Sequence, residues 1–122
     1  MAGSSMTITE TNYHGSMKKV KAEWVSDDTD GSVSGITSNY YDGQIWGAVT
    51  DPGSTAPADN YDITVLDSDS VDVALGALAN RDTSNTEVVT YASMAGVAGS
   101  RLTISVANAG NSKIGTIYLY IR

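Results

Sequence analysis

The sequence predicts an all-β chain, a single-domain β-sandwich or jelly-roll-like barrel of about seven or eight short strands. Three observations carry that expectation. Val, Ile and Thr supply 32 of the 122 residues, while Leu occurs 5 times and Glu 3 times; β-branched side chains suit a pleated surface, and the good helix formers are scarce. Gly, Ser, Thr, Asn and Asp together supply 58 residues, and these dominate turns, so the strands must be short. Third, apolar residues recur at period two in brief runs bounded by such turns.

Taken in order, residues 1–17 are small and polar and read as an N-terminal arm outside a β-sandwich domain spanning residues 18–122. Val20, Ala22 and Trp24 then alternate with Lys19, Lys21 and Glu23, the pattern of a half-buried strand. Asp27 to Gly31 supplies a turn, and Val33 to Thr37 returns as a second strand. Tyr40 to Gly43 leads into a third over Gln44 to Thr50, closed by Asp51-Pro52-Gly53, because Pro cannot donate to a ladder and Gly accepts a turn's positive φ. Tyr61, Ile63 and Val65 form a fourth, ending in Asp67-Ser68-Asp69-Ser70.

Val71 to Asn80 mixes helical and strand spacing and is assigned a short strand followed by an irregular turn. Glu87 to Tyr91 predicts a strand, and Ala92 to Gly99 a small-residue connection or one helical turn. Leu102, Ile104 and Val106, then Asn108-Ala109-Gly110-Asn111, then Ile117, Leu119 and Ile121 predict a β-hairpin. Its last strand reaches the end of the sequence and is expected at a sheet edge or against another subunit.

The absences restrict chemistry. Cys is missing and His14 is the single histidine, which removes disulfides, thiolate nucleophiles and the usual Ser-His and Cys-His pairs. Fourteen acidic against 7 basic side chains give a net charge of -7, a poor match to nucleic acid, which needs clustered Lys and Arg. No apolar run approaches the roughly 18 residues of a membrane-spanning helix, and Met1 to Tyr13 is polar throughout, unlike a secretory leader. Paired carboxylates can serve glycoside hydrolysis, but a thin sandwich seldom offers the cleft. The expectation is a protein that is not an enzyme and carries no cofactor.

Two groups of residues remain as candidates. Asp67, Asp69 and Asp72 form a D-x-D-x-x-D run that could hold calcium weakly on the surface. Position 12 counted from Asp67 is Leu78, so the run lacks the bidentate Glu of an EF-hand. The commoner role of such Asp residues is to accept from turn N–H groups. Tyr40, Tyr41 and Trp46 surround a Gly turn, and Tyr118 and Tyr120 lie opposite the aliphatic face of the last strand. These five are interface candidates, since Tyr and Trp bury area at low entropic cost while keeping a polar handle. The first three could alternatively stack sugar rings. Trp24 belongs to the core, and Arg81 is either a clamp on carboxylates or carbonyls or half of a local pair.

Gly43-Gln44-Ile45, Asp51-Pro52-Gly53, Ala56-Pro57, Asn60-Tyr61-Asp62-Ile63, Leu66-Asp67-Ser68-Asp69, Val71-Asp72-Val73, Ala79-Asn80-Arg81-Asp82, Leu102-Thr103-Ile104 and Asn108-Ala109-Gly110 together carry a resemblance. Over Lys19 to Arg122 the chain resembles small β-rich structural proteins of tailed-bacteriophage virions. Ser70 stands where those proteins have the Gly of an Asp-x-Asp-Gly turn. The resemblance implies a virion component with no catalytic residue. In that setting the composition suits a capsid decoration or cement protein on the outer capsid surface. Such a protein binds the major capsid protein as a homo-oligomer, with a trimer favoured, and here its polar arm would wrap the partner. A glycan-binding or host-attachment module, and a tail or connector component, are the alternatives.

Overall fold

The computed structural model describes residues 4–12, 17–90 and 94–122. Among these described residues there are nine strands: β1 (Ser5–Asn12), β2 (Lys18–Val25), β3 (Val33–Ile36), β4 (Tyr41–Pro52), β5 (Asp62–Leu66), β6 (Glu87–Thr90), β7 (Gly96–Ser100), β8 (Thr103–Ala107) and β9 (Ile114–Ile121). One sheet runs β1-β2-β9-β4-β6, with β7 also paired to β4, and the other runs β3-β8-β5. From β2 onward the chain passes back and forth between the sheets, β6 and β7 counting as one stop, which is the winding of a jelly roll.

The core lies between the sheets. Val20, Ala22 and Trp24 of β2, Ile45 and Ala48 of β4, and Ile117, Leu119 and Ile121 of β9 face Ile63, Val65, Ile104 and Val106, all 1% exposed or less. Each strand contributes every second residue, so period two in the sequence becomes one buried face per sheet. β4 interrupts this rhythm. Its register shifts between Ile45 and Gly47, so the inward set is odd-numbered up to Ile45 and even-numbered from Ala48. Gly43, at φ 124°, lies so close to the Arg122 carbonyl that a Cβ would collide with it.

Several expectations are corrected. Residues 5–12 are not an arm outside the domain. They form β1, which pairs with β2 along its whole length and packs Met6 and Ile8 against the core. The remainder of the 1–17 assignment falls largely outside the described residues. The Leu102 to Ile121 unit is no hairpin, because β8 and β9 belong to different sheets. Its connection crosses the end of the sandwich, tied down by Ser26 Oγ donating to the Gly110 carbonyl at 2.6 Å, Lys113 N–H donating to Ser26 Oγ at 2.8 Å and Ala58 N–H donating to the Ala109 carbonyl at 2.8 Å. Consequently β9 is not at an edge; it runs between β2 and β4.

Residues 96–100 form strand β7 rather than a loose connection or helical turn. In place of the short strand expected after Val71 there are turns, joined to β5 by an isolated bridge between Leu66 and Asp72. These turns still cover the free side of β5, through Val73 N–H to the Val65 carbonyl at 2.8 Å and Ile63 N–H to the Leu78 carbonyl at 3.0 Å. Ser70 adopts φ 62°, the left-handed backbone for which Gly is better suited.

Candidate interaction surface

The outward residues of the six-stranded sheet assemble into rows. In one, Lys21 lies opposite Tyr118, Tyr118 opposite Val49, and Val49 opposite Val88. The next places Lys19, Tyr120, Gly47 and Thr90 side by side. Lys19 Nζ sits 5.0 Å and Lys21 Nζ 5.9 Å from the centre of the Tyr118 ring, a half-buried cation–π arrangement contributing about 1 kcal/mol. Beside them the Arg122 guanidinium lies 5.7 Å over the Trp46 ring. Val88, at 70% exposure, and Trp46, at 39%, leave this face partly apolar.

Of the five aromatic candidates, Tyr118, Tyr120 and Trp46 therefore share one face. Tyr40 stands 68% exposed in the β3–β4 connection. Tyr41 is not an interface residue: it is 3% exposed, and its hydroxyl donates to Glu10 Oε1 at 2.7 Å. A sugar platform of Tyr40, Tyr41 and Trp46 loses its middle member.

Sequence reasoning passed over Val49, Val88 and Glu10. Val88 and Val89 are adjacent in a strand, so one of them had to face outward, and that signal was available. Glu10 carried none. It reaches from β1 across to the β3–β4 connection, where Oε2 accepts from Ser38 N–H and Oε1 from Asn39 N–H, both at 3.0 Å. Burial pushes the Glu10 carboxyl up, but the Tyr41 hydroxyl, the Asn39 and Ser38 N–H groups and the Arg101 charge outweigh it and hold the carboxyl below its ordinary range. A carboxyl lowered on folding stabilises fully above its ordinary pKa of 4.5, and that stabilisation is lost as pH falls through the folded value. The melting-temperature gap between wild type and Glu10→Gln should accordingly close below pH 4.5. A gap unchanged on acidification would show that the charge is not what matters.

The calcium candidate is corrected too. Asp67 Oδ1 accepts from Asp69 N–H at 2.9 Å and Val71 N–H at 3.0 Å. Asp72 Oδ1 accepts from Val65 and Ala74 N–H, both at 3.1 Å, and its Oδ2 from Gly76 N–H at 3.0 Å. Asp67, Asp69 and Asp72 are thus spread along a chain of turns, and among the described residues no three His, Asp or Glu side chains are grouped to hold a metal ion. Arg81 does both of the things expected of it locally: its Nε and Nη2 fork donates to the Ala79 carbonyl at 3.2 Å, and its guanidinium lies 3.5 Å from Glu87.

A shallow depression of about 330 Å³ sits against β3 and β8, lined by Ser32, Val33, Ser34, Ser105, Val106 and Ala107. Its lining includes no titratable side chain. Among the described residues no helix is long and apolar enough to cross a membrane.

No family model matches the sequence, and no curated protein matches it. Among solved structures, a cupin domain from Bordetella pertussis Tohama I is similar to this chain at 10% identity, with 100% of this chain and 98% of that one covered and a TM-score of 0.42. The all-β assignment rests on the two sheets and their strand order.

Proposed function

We propose that the chain is a non-enzymatic structural protein of a tailed-phage virion that decorates or cements the capsid, binding major capsid subunits as a homo-oligomer. The supporting observation is the outer face of the six-stranded sheet, where Tyr118, Tyr120, Val49, Val88 and Trp46 lie together with Lys19, Lys21 and Arg122. An open sheet face of this kind can lie against a broad protein surface but encloses no small substrate. Aromatic and Arg side chains near an apolar centre are the groups that anchor protein interfaces. The resemblance of Lys19 to Arg122 to virion proteins supports a capsid as the partner. With β1 built into the sheet, docking through this face replaces wrapping by an arm as the mode of attachment.

Immunogold labelling of virions that carry the chain tests the reading. Label should be spread over the capsid, and the Val88→Asp variant, altered at a 70% exposed site, should fold normally but lose its place on the shell. Label confined to the tail would replace the reading with a connector role, and unlabelled virions would overturn it.

A further inference from the structure

We infer that β1 is the self-association edge of this protein, and that two copies join antiparallel through it about a two-fold axis. The other sheet edges are short or covered. β3 and β6 are four residues each and β7 five, in broken register with β4, too short to template a partner strand well. The free side of β5 is covered by the turns after Asp72. β1 is different: eight residues in unbroken register with β2, without Pro, Lys or Arg, ending the larger sheet. A strand of this length runs about 27 Å and presents a row of backbone groups on its outer side.

Its single charge does not guard that edge. Glu10 is turned inward, its carboxylate occupied by Ser38, Asn39 and Tyr41. The outward side chains are Ser5, Thr7 and Thr9, all exposed, and the more covered Thr11, while Met6 and Ile8 remain only half-buried against β3.

The strand is complementary to itself. An axis through Ile8 sets the two Ile8 residues against each other, Thr7 against Thr9, Ser5 against Thr11 and Met6 against Glu10. Thr–Thr and Thr–Ser are favourable cross-strand pairs, and the two Glu10 carboxylates are kept apart. Both sandwiches then lie on the same side of one continuous sheet, and the contact closes after two copies, as a two-fold interface must. This deepens only the homo-oligomer element of the proposed function and is independent of the capsid reading.

Light scattering coupled to size exclusion should give twice the 12.7 kDa chain mass for the wild type. Thr7→Lys combined with Thr9→Lys sets like charges opposite one another across the axis, and should halve that mass with an unchanged melting curve. The Thr7→Glu, Thr9→Glu chain should likewise be monomeric, and mixing the two variants should restore a dimer containing one of each. A monomeric or trimeric wild type would overturn the inference, as would a dimer indifferent to the lysines. Capsid labelling by a protein that is monomeric in solution would leave the capsid reading standing while its homo-oligomer element and this inference failed.

Discussion

Trp24→Ala should destabilise the fold by about 3–5 kcal/mol, the cost of emptying a large core site. Trp24 is 1% exposed, between the sheets near the end of β2, with its ring 5.8 Å from that of Tyr61 at an interplanar angle of 52°. Its lining cannot collapse easily, because it is built from β2, β9 and the Tyr61 bridge to Arg81, each pinned by ladder hydrogen bonds. For a chain of this size total stability is on the order of 5–15 kcal/mol, so the variant should be near its folding threshold. Urea unfolding followed by circular dichroism would show the midpoint falling with the slope preserved. A loss below about 1 kcal/mol would mean that the core repacks around the gap and is not rigid at this site.

The buried face of each strand was legible because alternation reports which side of a strand meets the core. Trp24, Ile63, Ile104 and Leu119 all lie where period two placed them. Alternation does not report which strand lies alongside. β8 and β9 each bury one face whether they pair with each other or stand in opposite sheets, so the predicted hairpin and the observed crossing have the same pattern. β1 was hidden for a related reason: only Met6 and Ile8 are apolar, and its outer face is Ser and Thr, which read equally well as coil. β7, Gly-Val-Ala-Gly-Ser, offers one side chain larger than Ala or Ser to the count. In β4 the bulge after Ile45 changes the parity of the inward set, so no single period places both Ile45 and Ala48 in the core. The candidate face was legible only in part. Tyr118 and Tyr120 could be read from one strand, whereas Val49, Val88 and Lys21 join them through pairings between strands far apart in sequence.

Gly115→Val separates two physical effects that act in opposite directions. Gly115 lies within β9, a central strand, and exchanging Gly for a β-branched residue there favours extended backbone, a gain of at most about 1 kcal/mol. Packing opposes it. A Cβ at Gly115 would stand 2.7 Å from Trp24 Cε2 and 3.0 Å from Nε1, so the indole must move, yet it is walled in on its other sides. Overpacking of this kind costs typically 1–3 kcal/mol, and Val adds two methyl groups beyond the Cβ, which puts it at the upper end, so the net expectation is a loss of about 2 kcal/mol. The sign of the measured change therefore decides which effect governs the site. Combining both substitutions is more informative still. With Trp24 replaced by Ala, the side chain at position 115 enters the space the indole has left, so Gly115→Val should cost roughly 2 kcal/mol less in that background than in the wild type. Strict additivity would show that the two residues do not touch, and would remove the close approach of β9 to Trp24 as the reason that position 115 carries no side chain.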